Sequence, residues 1–406
     1  MSTSLIYHTQ GIQGFQHESF SFSGGCVVQR LKRKNFRCLQ CNSRNVSRYQ
    51  TRRRKIQALP YGQKPTFFEL DVHQLYCFTC GKKTSEQLPF LSHPKARLTK
   101  AFERTIVELR RDMTISALSD YFKVRWHTIK EIEKRHLQRK YARIPLKSVK
   151  VMGIDEIAYG RDEKGKIRFW TIARDLKTGA VLHVDKGKDG DSLKNFLKRL
   201  RQSGAKIEVV AMDMAKAYIS WVKKNLPGTK IVFDHFHVIK LMNDKIDKER
   251  RELAKTLDKQ QADQLKNMRY ILLRNEENLK PNAQERLEAL KAFSEELCEL
   301  HTMKEELRSI YRTAENELQA ALALGDWCEK ASVGCSKNMR KMAKTIHSHW
   351  EGIIAYWSYG GLTNAAMEGF NNKVKTMIRQ AYGLRDLEYM RLKIFDLPKI
   401  RQNDGI

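Results

Sequence analysis

VMGIDEIAYG, residues 151–160, is the stretch on which the fold of this 406-residue chain turns. It is an apolar run broken only by Asp155 and Glu156 and closed by Gly160, the pattern of a β-strand. GRDEKGK (160–166) reads as a turn, IRFWTIAR (167–174) as a second strand, DLKTG (175–179) as another turn and AVLHV (180–184) as a third strand. Apolar runs separated by Gly- and Asp-containing turns predict an antiparallel meander. A helix follows over Asp191–Ser203, with Leu193, Phe196, Leu197 and Leu200 on one face and Gly204 closing it. IEVVAM (207–212) is mostly apolar, as expected of a strand buried on both faces and reached by a crossover. A helix around Ala215–Asn225, a Pro227–Gly228 turn and the strand KIVF (230–233) complete the run.

Three antiparallel strands, a helix and two βα steps are the order of a ribonuclease-H-like α/β fold. In that order Asp155 lies in the first strand, and Asp213 directly follows the fourth, its expected neighbour. Each acid is preceded by apolar residues, Gly153-Ile154 and Ala211-Met212, unlike a casual surface acid. Two carboxylates held a few ångströms apart repel unless a cation lies between them, so the pair implies a divalent metal site. Oxygen donors favour Mg²⁺ or Mn²⁺ over zinc. The competing reading makes Asp155 a strand-end cap and Asp213 a helix N-cap.

A third carboxylate is expected on a helix after the fifth strand. LTNAAMEGFNNKVKTMIRQAYG (362–383) places Ala365, Glu368, Asn372 and Lys375 on one helical face, over Ala366, Phe370, Val374, Met377 and Ile378. Glu368 is the candidate acid; Asn364, Asn371, Asn372, Lys373, Lys375 and Arg379 suit a phosphate backbone. Asp234, His235 and His237, just after the fifth strand, are candidate accessory residues of the same site. The alternatives for them are a separate metal site or a packed His-x-His pair on a strand. Trp350, Tyr356, Trp357 and Tyr359 either stack on an unpaired base or close the core.

Upstream, Cys38-x-x-Cys41 and Cys77-x-x-Cys80 each have the spacing of a metal knuckle. Together they suit the four tetrahedral ligands of a closed structural zinc site, with no open position for catalysis; the alternatives are a coincidental pair or a thiol redox couple. Alternating apolar positions around Phe67, Leu70, Val72 and Leu75 suit a β-hairpin between the knuckles, as in a zinc ribbon. Cys26, Cys298, Cys328 and Cys335 lack ligand spacing. The run Arg52, Arg53, Arg54 and Lys55 is a candidate phosphate contact. In ISALSDYFKVRWHTIKEIEKRHLQRK (115–140) the spacing predicts a helix over Ile115–Phe122, a break near Lys123–Val124 and a longer helix over Arg125–Lys140. That is the layout of a helix-turn-helix, with Arg125, Trp126, His127, Thr128 and Lys130 near the start of the reading helix; the alternative is a structural three-helix bundle of similar spacing.

The chain carries 76 Lys+Arg against 46 Asp+Glu, a formal net charge of +30. Counting along the sequence, residues 1–150 hold a net +20 and residues 151–406 a net +10. Such charge points to a polyanion, and the lack of a basic amphipathic helix or lipidation signal favours nucleic acid over a membrane. No run approaches the ~18 apolar residues of a membrane span, and the first thirty residues lack a secretory pattern, so a cytoplasmic location is expected. Reducing conditions there argue against disulfides. No GxxxxGK[ST] occurs, so no nucleotide cofactor is expected.

GIDE (153–156), AMDM (211–214), FDHFHVIK (233–240) and NAAMEGFNNKVKTMIRQAYG (364–383), behind a four-Cys ribbon and a helix-turn-helix, resemble the insertion-sequence transposases of the ISL-three family. The resemblance covers nearly the whole chain in the same order. It implies a DDE-type DNA transposase that binds inverted-repeat ends, with Asp155, Asp213 and Glu368 as the Asp-Asp-Glu set. It also implies Mg²⁺ or Mn²⁺ at that site, double-stranded DNA as transposon end and target, a homodimer or higher synaptic assembly, and a bacterial, nucleoid-associated protein. The expected architecture is multi-domain α+β: a zinc-ribbon domain (1–97), a helix-turn-helix domain (98–148) and the first part of a ribonuclease-H-like catalytic domain (149–239). An all-helical insertion (240–350) and C-terminal helices carrying Glu368 (351–406) follow. A DNA-binding regulator derived from a transposase and a ribonuclease-H-like nuclease are the alternative functions.

Overall fold

In the computed structural model, which describes residues 5–291, 294–334, 336–381 and 384–398, the chain forms two compact units, Met1–Ala142 and Arg143–Ile406. Cys335 and the Tyr382–Gly383 end of the quoted helix motif lie outside the described residues. No helix among those residues is long and apolar enough to cross a membrane.

The first unit opens with a short helix, α1 (Leu5–Gln10), and five strands: β1 (Phe15–Ser23), β2 (Cys26–Arg33), β3 (Val46–Tyr61), β4 (Lys64–Cys77) and β5 (Lys83–Ser85). They form one sheet in the order β1-β2-β4-β3, with β5 also on β4. β3 and β4 are the predicted hairpin, paired antiparallel between the two Cys pairs. Its inward face differs in phase from the expected one. Thr66, Phe68 and Leu70 face the core, and then His73, Leu75 and Cys77 do, so Phe68 rather than Phe67 is fully buried. The alternation changes step at Val72–His73, close to the bulge between Arg48 and Gln50 that shifts the pairing register.

Three helices complete this unit: α2 (Lys100–Leu109), α3 (Ile115–Phe122) and α4 (Trp126–Lys140). The Thr99 and Thr114 hydroxyls cap α2 and α3 through the amides of Phe102 and Ala117. α3 stops because Lys123 takes a left-handed backbone, φ 53°. Leu118, Phe122, Val124, Ile129 and Ile132 fill the space between α3 and α4, and a buried Arg110–Glu133 pair at 2.7 Å braces α4.

The second unit is built on a sheet of β6 (Val151–Arg161), β7 (Ile167–Asp175), β8 (Val181–Lys186), β9 (Val209–Met212) and β10 (Lys230–Phe233), in the order β10-β9-β6-β7-β8. β6, β7 and β8 run antiparallel, whereas β9 is parallel to β6, and β10 to β9. The helices α5 (Lys194–Ser203) and α6 (Lys216–Asn225) make the two crossovers. Phe196, Leu200, Tyr218, Trp221 and Val222 of these helices pack with Met152, Ile154, Val210 and Met212 of the sheet.

Past β10 the chain is helical: α7 (His235–Leu253), α8 (Lys259–Asn267), α9 (Arg269–Leu273), α10 (Pro281–Lys291), α11 (Glu295–Thr313), α12 (Glu317–Val333), α13 (Lys337–Ser348) and α14 (Trp350–Ser358). Their apolar faces, including Met242, Ile246, Leu300, Leu307, Trp327 and Met342, continue the core of the sheet without a break. The chain then returns through α15 (Ala365–Gln380) and α16 (Leu387–Asp396). α15 lies on β6, and α16 on β8 through a 2.9 Å bond from Arg391 Nε to the Val184 carbonyl.

Candidate catalytic and DNA-binding sites

Asp155 and Asp213 meet because β6 and β9 are parallel and in register. Met152 faces Val210 and Gly153 faces Ala211; two residues on, the same register sets Asp155 beside Asp213. Both carboxylates are half-buried at this end of the sheet. Asp155 Oδ1 accepts from the Glu156 amide at 2.8 Å and Oδ2 from Asn371 Nδ2 at 2.7 Å. Burial, helped by the charge of Asp213, raises the pKa of Asp155 against these bonds and nearby His237. Asp213 Oδ1 accepts from the Ala215 amide at 3.0 Å, a local turn just ahead of α6.

α15 brings the rest of the motif to this edge. A Cβ on Gly153 would stand 2.8 Å from Met367 Cγ and 2.9 Å from both Asn364 Oδ1 and Leu176 Cδ2. Glycine in GIDE therefore lets α15 lie directly on β6. Arg174 on β7 fixes the first turn of α15: Nη1 donates to the Ala366 carbonyl at 2.6 Å, and the guanidinium lies over the Phe370 ring at 4.2 Å. The buried face is Met367, Phe370, Asn371 and Val374, a rotation from the expected set that leaves Ala366 exposed and brings Asn371 inward.

Glu368 is exposed, one turn ahead of Asn371, and its carboxylate makes no hydrogen bond or ion pair among the described residues. The structure thus joins Asp155 to Asp213 and holds the Glu368 helix against them without drawing the three carboxylates to within ligand distance. Asn372, Lys373, Lys375 and Arg379 all lie on the exposed side of α15.

Asp234, His235 and His237 are not on a strand: Asp234 is the N-cap of α7 and the histidines occupy its first turn. Asp234 is 4% exposed. Its Oδ1 accepts from the Phe236 amide at 3.1 Å and its Oδ2 from the Asn364 amide at 3.1 Å. Burial opposes the charge of Asp234, but His235, with Nδ1 at 3.2 Å, and the Phe236 amide outweigh it and lower the pKa. His237 stands close enough to Asp155 and Asp234 to favour their ionised forms. His235 packs among Tyr311 and Tyr356, and Trp357 stacks on Tyr311 at 4.8 Å and donates to the Ala314 carbonyl at 3.1 Å. Tyr356 and Trp357 therefore join α14 to α11, as the core reading of those aromatics expects.

The sequence reading passed over Glu156 and Arg174, and took Asn371 for a phosphate contact where the structure turns it inward onto Asp155. Glu156, next to Asp155, points to the opposite face of the sheet, toward Tyr218, and burial followed by the Asp213 charge raises its pKa. The Tyr218 hydroxyl lies 2.9 Å from Thr171 Oγ1, which also bonds the Gly187 carbonyl. The doubled acid in GIDE and the doubled amide in GFNN were the signals available for Glu156 and Asn371.

In the first unit the Sγ atoms of Cys38, Cys41, Cys77 and Cys80 all lie within 4.8 Å of one another, with Cys38–Cys80 at 3.7 Å and Cys41–Cys77 at 3.5 Å. Thiolates placed tetrahedrally ~2.3 Å from one ion sit ~3.8 Å apart, so this set can hold a single metal ion. Each knuckle closes on a left-handed residue, Asn42 and Gly81, whose amide bonds the carbonyl of the first Cys, at 3.0 and 2.9 Å. The amides of Cys41 and Gln40 lower the pKa of Cys38. Burial opposes ionisation of Cys77, yet donors from Cys80, Cys41 and Thr79 bring it down to about 6.

The basic run on β3 divides by strand face. Arg54 is committed to the Pro94 and Ala96 carbonyls at 2.7 and 2.6 Å, Arg53 lies 3.5 Å from Asp71, and Lys55 lies 3.8 Å from Glu69. Arg52 is exposed. In the helix-turn-helix, Arg125, Trp126 and His127 are exposed at the start of α4, with Trp126 at 51%. Thr128 and Lys130 are half-buried, and Lys130 pairs with Glu131 at 3.1 Å.

Residues 152–394 match a family model described as an ISL3 transposase, and residues 86–137 match the helix-turn-helix domain of transposase family ISL3. The chain is 28% identical over 361 residues to the transposase for insertion sequence element IS1001 of Bordetella parapertussis, across 88% of this chain and 87% of that protein. It is 25% identical over 393 residues to the transposase for insertion sequence element IS1557 of Mycobacterium tuberculosis (strain CDC 1551 / Oshkosh), across 89% and 86%. A solved structure, the Drosophila P element transposase strand transfer complex, is similar at a TM-score of 0.41 and 10% identity, over 75% of this chain and 92% of that one. With the transposase model spanning more than half of the 406 residues, the chain belongs to the ISL3 transposase family, enzymes of DNA cleavage and strand transfer.

Proposed function

We propose that Asp155, Asp213 and Glu368 are the acids of a divalent-metal site on a ribonuclease-H-like domain, and that the N-terminal unit recognises the inverted-repeat ends of the element. The observation that carries the proposal is the register of β6 and β9, which sets Asp155 beside Asp213 under the helix that carries Glu368. Two adjacent carboxylates and the buried, unpartnered Oδ1 of Asn371 are a hard-oxygen donor set that suits Mg²⁺ or Mn²⁺. When bound, such ions supply the positive charge that activates a water and stabilises the attacking and leaving oxygens.

The protein's own part is placement. Asn371 orients Asp155, and the α15 cations Lys373, Lys375 and Arg379 meet the phosphate backbone on the same helix as Glu368. Water attack at the element end breaks the phosphodiester and leaves a 3′-hydroxyl and a 5′-phosphate. The 3′-hydroxyl then attacks a target phosphodiester, forming one P–O bond as another breaks, so no nucleotide is consumed.

We read residues 1–97 as a zinc ribbon with Zn²⁺ on Cys38, Cys41, Cys77 and Cys80, and residues 98–148 as the helix-turn-helix presenting Arg125, Trp126 and His127 to the major groove. Residues 240–350 are an insertion in a catalytic domain made of 149–239 and 351–406. Paired ends call for a dimer or larger synaptic assembly acting on DNA in the bacterial nucleoid.

The test is incubation of the full chain with Mg²⁺ and DNA bearing the candidate inverted repeats. The expected products are nicks at the repeat boundary and strand-transfer species. Specific binding without nicks would make the protein a regulator, and cutting independent of the repeats a nuclease.

A further inference from the structure

We propose that Asp234 is a positioning residue for Glu368: one buried carboxylate fastens the start of α7 and the start of α15 to the end of β10. The proposal rests on Glu368 being the third acid of the site. Asp234 directly follows β10, and its own amide reaches the Met212 carbonyl, next to Asp213, at 3.4 Å. Its two oxygens serve two helices, Oδ1 the Phe236 amide of α7 and Oδ2 the Asn364 amide, 130 residues further along the chain.

Asn364 is the N-cap residue of α15 and is 2% exposed. Its carbonyl accepts from the Met367 amide at 2.7 Å and the Glu368 amide at 3.1 Å. Two hydrogen bonds therefore connect the Asp234 carboxylate to the backbone of Glu368. The segment leading into α15 turns at Gly360 and Gly361, both left-handed, φ 63° and 76°, with their amides on the Trp357 and Tyr356 carbonyls at 3.2 and 2.9 Å. Leu362 and Thr363 are half-buried, Arg174 holds the Ala366 carbonyl, and the Asp234 oxygen is the acceptor for the Asn364 amide at the start of the helix. An Asn364 amide buried without the Asp234 oxygen would have no acceptor, so α15 would start elsewhere and carry Glu368 with it. Because both Asp234 oxygens already hold backbone amides, the residue acts through α15 rather than on the reacting atoms.

The test compares full-length Asp234→Ser and Asp234→Asn with wild type and with Glu368→Gln. Serine keeps one acceptor for the Phe236 amide, so α7 stays capped while the Asn364 arm is lost. Asparagine keeps one oxygen and offers an N–H where the second oxygen stood. Three quantities are read: deuterium exchange of peptides covering 362–370 and 151–157, the Mn²⁺ concentration for half-maximal nicking of element-end DNA, and end binding.

The expected result is faster exchange at 362–370 only, a half-maximal Mn²⁺ concentration raised about tenfold, as for residues that orient metal ligands, and unchanged end binding. Should the serine variant fail to fold, the asparagine variant carries the same comparison. Unchanged exchange at 362–370 overturns the proposal, and so does an unchanged Mn²⁺ midpoint. Loss of nicking at every Mn²⁺ concentration with normal exchange would make Asp234 a direct ligand instead. If Glu368→Gln nicks as wild type, the assignment of Glu368 falls, a result separate from the exchange data on Asp234.

Discussion

At the scale of single residues, the acids at the sheet edge are set by strand phase, and strand phase is also what buries a titratable group nearby. His183 on β8 is 2% exposed, stacks on Phe196 at 5.1 Å, and has Nε2 2.7 Å from the Ser192 carbonyl. With Nε2 as donor, a second proton would sit on Nδ1, which is buried without a partner. Burial accordingly lowers its pKa to about 4 from the ordinary value of 6.5. The unfolded chain binds the proton more readily, so the stability His183 lends is complete above pH 6.5 and is lost as pH falls toward 4. The difference corresponds to about 3 kcal/mol, so the wild-type Tm should fall markedly from pH 7 to pH 5, and less so in His183→Gln.

Asp155 and Asp213 were legible in the sequence because apolar neighbours betray a buried strand, whatever the rest of the chain does. The roles of Asn371 and Asp234 were not, because each depends on a partner more than a hundred residues away.

At the scale of elements, the decisive packing is α15 on β6. Gly153→Ala should cost about 1–3 kcal/mol, since the new methyl meets Met367, Leu176 and Asn364 inside a filled interface. Urea unfolding would show the loss, and nicking should fall with it because Glu368 rides on the displaced helix. Arg174→Met removes the donor to the Ala366 and Gly179 carbonyls and should cost about 1–3 kcal/mol by leaving them unpaired. Its signature is faster amide exchange in the first turn of α15, with α5 and α6 unaffected.

The strands and helices of the second sheet and of the helix-turn-helix were visible from periodicity, down to the break at Lys123, whereas β1, β2, β5 and the separate helices past β10 were not delimited. Phase was the weaker part: β4 turns Phe68 rather than Phe67 inward and changes step at Val72–His73 near a bulge in β3, and α15 is rotated so that Asn371 faces inward. Neither a bulge nor a helix rotation alters the composition of a segment, so periodicity alone does not fix them.

At the scale of the molecule, the chain's net +30 is spread unevenly, most of it on the first 150 residues, while the second unit carries the acids. On the proposed zinc reading, Cys77→Ser removes a ligand from a closed four-thiolate set. The wild type should carry about one zinc per chain by atomic absorption, and the variant should lose both the zinc and end binding. The Asp155/Asp213 edge lies in the separate second unit, so residual Mn²⁺ binding there should persist.

The central claim is that three acids, and not the basic surface, make the enzyme. Its most direct measurement is nicking at the repeat boundary by Asp155→Asn, Asp213→Asn and Glu368→Gln, each in Mg²⁺ and in Mn²⁺, with end binding followed on the same DNA. Cleavage should be lost in all three while binding holds at wild-type strength. Cleavage at the wild-type rate by any one of them would remove that residue from the site and contradict the account.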